Sequence, residues 1–370
     1  MYRISTHLLR QASGLVIATA LCLGYAGRAA AQTQLSHYQP GVTTEGAVYY
    51  LPKTAAQVRV LVEKTTYRPG DFARYAPRYL RVNNVALEPS VAYRVVEIDV
   101  DAIPVADTTK VFAVKFNAKT VAANVTLADD GRLLAINDPE AGEAAPRSPF
   151  TPAQKGKRPD PKQFLSAEIL ACGSKAKMAE LTANEIYDLR ENRTLLIKGQ
   201  ADFMPQDGTQ MQIMLRQLDE QERALSSLFI GTTDVDTTEH VLNVVPQEPL
   251  SRQTLFRLSQ QQGLTDADGL SGEPFYISVD DLQAVPTPQA DQGKGRKRQN
   301  EAGIYVNVPG RMRITIERGT ETLCTATLPA PQFGNVELLS GELFNKRYTT
   351  RLRLSPLTGA VEQLQADPPK

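Results

Sequence analysis

Gln57-Val58-Arg59-Val60-Leu61-Val62-Glu63 is the stretch on which the fold reading turns. Val58, Val60 and Val62 alternate with Arg59, Leu61 and Glu63, and a period of two places the valines on one face of an extended strand. Working outward, Tyr93 to Val100 and Val111 to Phe116 repeat β-branched and aromatic runs, so the chain reads as β-rich from Ala47 to about Ile136. Asp129-Asp130-Gly131 lies between Val125-Thr126-Leu127 and Leu133-Leu134-Ala135-Ile136, and an Asp-Gly turn flanked by apolar runs predicts a hairpin. Between the first strands, Asp71 is placed to cap a short helix carrying Phe72, Tyr75, Ala76 and Tyr79, which Pro77 limits to a turn or two.

From Asp138 to Lys162 the composition shifts to Pro, Ala, Glu and Lys, including Lys155, Lys157, Arg158 and Lys162. Such a segment buries too little apolar surface to order itself and reads as a linker or exposed loop. The period then changes to 3.6. Met178, Leu181, Ile186 and Leu189 form one helical stripe, with Ser174 available as its cap. In a second helix Asp207 and Gln210 form a capping box. Met211, Met214, Leu215, Leu218, Leu225 and Leu228 mark its face until Gly231 stops it. The two helices are expected to pack as a pair or together on a sheet, their stripes serving as core.

After Gly231 the strands return. Ile304, Val306 and Val308 alternate with Tyr305 and Asn307, Pro309-Gly310 reads as a turn, and Met312, Ile314 and Ile316 alternate again, which predicts an antiparallel pair. Further strands fit Leu323 to Leu328, Thr349 to Leu354 and Val361 to Leu364, the last two joined by Ser355 to Gly359. Thr287 to Glu301, with Lys294, Arg296, Lys297 and Arg298 among Gly and Gln, reads as a mobile loop.

At the start of the chain, Arg3 and Arg10 precede an apolar run from Leu15 to Leu23 and Ala29-Ala30-Ala31, the three-part pattern of a secretory leader cleaved after Ala31. The run is shorter than a membrane span, no later segment is apolar enough to be one, and Leu21 before Cys22 argues against a lipid-anchored leader. Removing Arg3, Arg10 and Arg28 turns 41 basic and 41 acidic residues into 38 and 41, a formal charge of −3. A near-neutral exported chain gives no reason to expect nucleic acid or an anionic membrane as partner. Cys172 and Cys324 survive processing; an oxidising compartment would permit a bridge, but two separately buried thiols is the preferred reading.

The layout is therefore α+β: two mainly antiparallel, sandwich-like β regions with an intervening two-helix hairpin. The expected order is a leader over 1–31, an amino-terminal β-rich domain over 46–137 and a linker or loop over 138–166. A helical hairpin follows over 167–231, then a carboxy-terminal β-rich domain over 232–370 with its loop at 287–301.

These segments resemble an uncharacterised family of exported proteins from Gram-negative gut and oral bacteria, domain of unknown function 4831. The resemblance is carried by Tyr49-Tyr50-Leu51-Pro52-Lys53-Thr54, Tyr67-Arg68-Pro69-Gly70 through Leu80, and Asn124-Val125-Thr126-Leu127 with Gly131. In the helices it rests on Lys177-Met178-Ala179-Glu180, the Ile186 to Arg193 stretch and Met204-Pro205-Gln206-Asp207-Gly208. Near the end it rests on Gln332-Phe333-Gly334 and Pro356-Leu357-Thr358-Gly359. The insertions at about Asp138 to Lys162 and Thr287 to Glu301 depart from that pattern. The resemblance implies export and a shared fold, and no activity.

Chemistry is sparse. A serine-hydrolase elbow needs G-x-S-x-G, and Gly269-Leu270-Ser271-Gly272-Glu273 lacks the final glycine. Only His37 and His240 would remain after cleavage, which starves a Ser-His or Cys-His arrangement. Asp234, Asp236, Glu239 and His240 are metal-ligand types but read as acidic turn residues after a helix. Asp266-Ala267-Asp268-Gly269 fails the EF-hand order, which would place Leu264 first and Phe275 last. Gly293-Lys294-Gly295 lacks a phosphate-loop context. Absence of Trp and 6% aromatic residues disfavour sugar-stacking clefts. No catalytic, cofactor-binding or metal residue is assigned. The expected function is a non-enzymatic binding, scaffolding or envelope-assembly component of the periplasm or outer surface, its partner an envelope protein or glycan. The alternative is a carboxylate-based envelope hydrolase acting on glycan or peptide.

Overall fold

The computed structural model describes residues 41–43, 46–115, 124–143, 145, 147–156, 158–286, 303–340 and 349–367. The stretch 1–31 read as a leader, Cys22, His37 and the stretch 287–301 read as a loop lie outside the described residues.

The valine stretch belongs to a long antiparallel hairpin. Its first strand is β2 (Gly46–Arg68), preceded by β1 (Gly41–Thr43), and its second is β3 (Ser90–Lys115). The runs at Tyr93 and Val111 are thus one strand, not two; Pro104 interrupts the apolar pattern but is tolerated because β3 is an edge strand. Between β2 and β3, residues Ala73–Tyr75 form a 3-10 turn and α1 spans Ala76–Tyr79. Asp71 does not cap them: Phe72 stands at the cap position and makes no side-chain cap bond.

The sequence hairpin forms as β4 (Val125–Leu127) and β5 (Leu133–Ile136), with Gly131 at φ 83°. Then come α2 (Ala167–Leu170), α3 (Lys175–Lys198) and α4 (Gly208–Ile230). Ser174 accepts from the Lys177 N–H at 3.2 Å and Asp207 from the Gln210 N–H at 2.8 Å, as expected of caps. Gln210 returns its side chain to the Gln206 N–H rather than to Asp207.

The remaining strands are β6 (Thr232–Val244), β7 (Leu250–Ser259), β8 (Gly263–Thr265), β9 (Glu273–Asp281), β10 (Gly303–Arg318), β11 (Glu321–Ser340), β12 (Thr349–Leu354) and β13 (Val361–Asp367). Pro309-Gly310 is not a turn, because β10 runs straight through it with only a register shift against β11. Gly310 and Gly334 make this possible: a Cβ on either would overlap backbone of the facing strand.

Among the described residues three antiparallel sheets form, and the two β regions of the sequence interleave in them. The first sheet is β1-β2-β3 with β6 on β2, the second β11-β10-β9-β7-β8, and the third β13-β12-β5-β4. Ala56, Val58, Val60 and Val62 of β2 pack face to face with Phe256, Phe275, Ile277, Met312, Ile314 and Ile316, a sandwich core. Tyr49 and Leu51, on the opposite face of β2, enter a second core with Leu133, Ile136, Ile304, Val306, Leu352 and Leu354. The strand changes its buried face between Leu51 and Ala56, and so serves both cores.

That change leaves a gap along one edge of β2. β1 pairs with Gly46–Val48 and β6 begins pairing at Ala56, so Tyr50, Pro52 and Thr54 face no strand there. Three separate groups satisfy them. The Tyr50 N–H donates to Gly131 O at 2.9 Å. Pro52, which has no N–H to satisfy, accepts from Asn307 Nδ2 at 2.9 Å, and the same amide donates to Thr358 O at 2.8 Å. The Gln332 amide serves both backbone groups of Thr54, accepting from N at 3.0 Å and donating to O at 2.9 Å. Tyr49 does the same for Tyr305: its hydroxyl accepts from the Tyr305 N–H at 2.8 Å and donates to its carbonyl at 3.2 Å. Burial holds the Tyr49 phenol well above the usual tyrosine range.

Cys172 and Cys324 are both free and half-buried; burial, with Asp99 nearby, pushes the Cys324 thiol up. No helix among the described residues is long and apolar enough to cross a membrane.

Candidate functional site

The helical hairpin supplies the most distinctive surface. At its root, Ala179, Ala183, Ile186 and Leu189 of α3 meet Leu225, Leu228 and Phe229 of α4 over Phe72, Ala76 and Leu80. Gly70 and Gly231 let the end of α4 press onto this segment, because a Cβ on Gly70 would overlap Leu228 O. Tyr67 pins the same end, its hydroxyl donating to Ile230 O at 3.1 Å or Ala86 O at 2.9 Å. Next along the hairpin, Arg190 pairs with Glu222 at 2.6 Å, and Arg193 with Asp219 at 2.6 Å and Glu222 at 2.7 Å.

These pairs fix an antiparallel register that puts Ile197 level with Leu215. Beyond them the apolar cover is only partial: Leu196 stays buried, but its neighbours do not. Phe203 is 69% exposed, Ile197 65%, Ile213 47% and Met204 40%, with Met211, Met214 and Leu215 half-buried beside them. Gly199, at φ 71°, ends α3, and the connection 199–207 carries Phe203 and Met204 across the tip. Met204-Pro205-Gln206-Asp207-Gly208, one of the stretches of family resemblance, therefore forms this tip. The stripe reading treated Met211 and Met214 as core and missed Ile197, Phe203 and Ile213; the available signal was that Phe203 lies in the connection between the helices and Ile213 is large, apolar and off the α4 stripe.

The candidate chemistries are distributed as follows. Asp234, Asp236, Glu239 and His240 are not turn residues but lie along β6. Asp234 pairs with Arg158 at 3.1 Å, Asp236 with Lys155, and Glu239 with Arg59 at 3.5 Å. No group of three or more His, Cys, Asp or Glu side chains converges as a metal site among the described residues. Asp266 to Gly269 is a turn, closed by the Gly269 N–H on Asp266 O at 3.0 Å. The Ser271 hydroxyl donates to Gln262 at 3.3 Å. Lys155 and Arg158, of the first basic stretch, are engaged with β6, while Lys157 and the second stretch lie outside the described residues.

A polar depression of about 310 Å³ is lined by Asn137, Asp138, Glu140, Arg351, Arg353 and Gln363. Asp138 there is 2.6 Å from Arg353. Burial pulls its carboxyl up, but the Glu140 N–H and the Arg353 guanidinium outweigh that and leave it below the usual range. Glu63 and Asp99 are likewise held down, by hydrogen bonds from Arg94 and Arg147. Nearby, buried Arg132 pairs with Asp130 at 2.6 Å and with Glu143, and donates to Pro356 O at 2.6 Å, tying the β4–β5 turn to the β12–β13 turn. A second, shallower depression of about 210 Å³ runs along Arg68, Asp71, Asp160, Lys162 and Gly231.

Neither a curated protein nor a solved structure matches the chain. The DUF4831 pattern, described as a domain of unknown function, matches residues 45–362, which span all three sheets and the helical hairpin. The chain belongs to the DUF4831 family.

Proposed function

We propose that this protein is a non-enzymatic, exported component of the cell envelope that binds or scaffolds another envelope protein through the tip of the α3–α4 hairpin. The observation that carries the reading is the exposure of Phe203, Ile197, Ile213 and Met204 at one end of the α3–α4 hairpin. Apolar side chains clustered on a folded surface mark interaction sites, and an aromatic beside flexible methionines suits a partner surface. The leader pattern over 1–31 supports export to the periplasm or outer surface.

Carboxylate hydrolysis draws less support. A general acid needs a carboxyl raised towards neutrality, whereas Asp138, Glu63 and Asp99 are all displaced downward.

The test compares the native chain with Phe203→Asp and Ile197→Asp as baits on detergent-solubilised envelope from the producing cell. The native chain, whose mature amino terminus should read Gln32, is expected to retain a protein that both variants lose while their melting temperatures stay unchanged. Equal capture by all three, or hydrolysis of envelope glycan or peptide by the native chain, would refute the reading.

A further inference from the structure

β6 is paired with β2 along one edge, and among the described residues no strand lies on the other. An unprotected strand edge is a template for pairing with another chain. Here part of the edge is accompanied by the segment Arg147 to Asp160. The Phe150 N–H donates to Glu239 Oε2 at 3.1 Å, Lys155 pairs with Asp236, and Arg158 reaches Asp234 at 3.1 Å and the Thr233 carbonyl at 2.6 Å. As the segment advances from 150 to 158 its partners on β6 retreat from 239 to 233, so it runs antiparallel to β6 as an added strand would. Arg147 anchors its start on Asp99 and Asp101 of β3.

It does not complete the pairing. Pro149, Pro152 and Pro159 have no N–H to give, and the contacts fall on side chains instead. The ion pairs are between half-exposed groups, which contribute little each and weaken in salt. A basic, proline-rich piece of the same chain therefore accompanies an acidic strand edge through bonds that are easily exchanged.

We propose that the β6 edge is a docking site for an extended, basic polypeptide segment, which adds as a strand opposite Asp234, Asp236 and Glu239 after displacing residues 147–160. A partner with lysine or arginine in these places and free N–H groups would satisfy the same carboxylates and make the backbone bonds that the prolines forgo.

The probe is a fluorescent peptide of residues 147–160 with Pro149, Pro152 and Pro159 replaced by threonine, followed by anisotropy at low salt. The full chain carrying Lys155→Glu and Arg158→Glu, whose own segment is repelled from β6, is expected to bind it about tenfold more tightly than the native chain. Adding Asp234→Lys and Asp236→Lys, or 0.5 M salt on the order of a 4 Å Debye length, should abolish that binding. Absence of binding to the first variant, or binding indifferent to the β6 substitutions, overturns the proposal. A melting curve for each variant, with Lys155→Gln and Arg158→Gln as the milder pair, verifies folding. Phe203→Asp should leave peptide binding unchanged, so failure here is separable from failure of the hairpin reading.

Discussion

Replacing Gln332 tests whether a side chain substitutes for a missing strand. Thr54 is fully buried, and both its backbone groups on the open side of β2 depend on the Gln332 amide, which also donates to Pro246 O at 3.4 Å. Gln332→Met keeps the length of the side chain and removes every hydrogen bond. A buried polar group left bare costs about 1–3 kcal/mol, so losing the partners of the Thr54 N–H and C=O should cost about 3 kcal/mol once some relaxation is allowed. Gln332→Glu is more discriminating. A carboxylate still accepts from the Thr54 N–H but faces the Thr54 and Pro246 carbonyls, which raises its folded pKa above the unfolded carboxyl value. A protonated carboxyl can donate again. Its stability should therefore rise relative to Gln332→Met as pH falls through that raised value towards about 4.3. Urea midpoints at pH 7 and 5 measure both effects. If Gln332→Met loses less than about 0.5 kcal/mol, the range of ordinary surface substitutions, or if Gln332→Glu shows no pH dependence relative to it, the gap in β2 is satisfied some other way.

Two further outcomes follow from other joints. Gly231→Ala at φ 78° places a Cβ against Arg68 O and the Tyr67 ring, and should lower stability by about 2 kcal/mol or more in thermal unfolding, because strain and overlap add. For Asp138, the folded carboxyl is held below its unfolded value, so its contribution is present above about pH 4 and disappears as pH falls through the lowered folded value. The stability difference between the native chain and Asp138→Asn, followed by urea unfolding, should be constant from about pH 7 to 5 and shrink below about pH 4.

How much of this was legible differs by kind of signal. Local periodicity located β2, the β4–β5 hairpin, α3 with Ser174 and α4 with Asp207, because those patterns are set by backbone geometry within a few residues. Pro309-Gly310 misled for a local reason. Ile304, Val306, Met312, Ile314 and Ile316 all fall on even positions, so the alternation never changes phase, and that continuity signalled one strand more strongly than the dipeptide signalled a turn. The segment 138–162 has the composition of a chain that cannot order itself, yet its cations find Asp99, Asp101, Asp234 and Asp236. That complementarity depends on two charge patterns meeting antiparallel in space, which neither pattern shows alone. The hairpin tip was hidden because a helical stripe says which side chains face together, not how far along a helix the covering partner extends.

The residues that carry the family resemblance do structural work that local pattern cannot reveal. Tyr49 and Gln332 stand in for strands at Tyr305 and Thr54, Tyr67 and Gly70 hold the end of α4, and Thr358 O shares Asn307 with Pro52. Gln332 lies 278 residues from Thr54 and Tyr49 lies 256 from Tyr305, so each joint forms only when the amino- and carboxy-terminal strands have assembled. Such joints specify a fold and are silent about a ligand. The joints and the proposed surfaces use different groups: neither Phe203 nor the free edge of β6 takes part in satisfying the gap in β2. Variation at the joints should then change the amount of folded protein without changing what the folded fraction binds, while variation at the hairpin tip or at Asp234 and Asp236 should do the reverse.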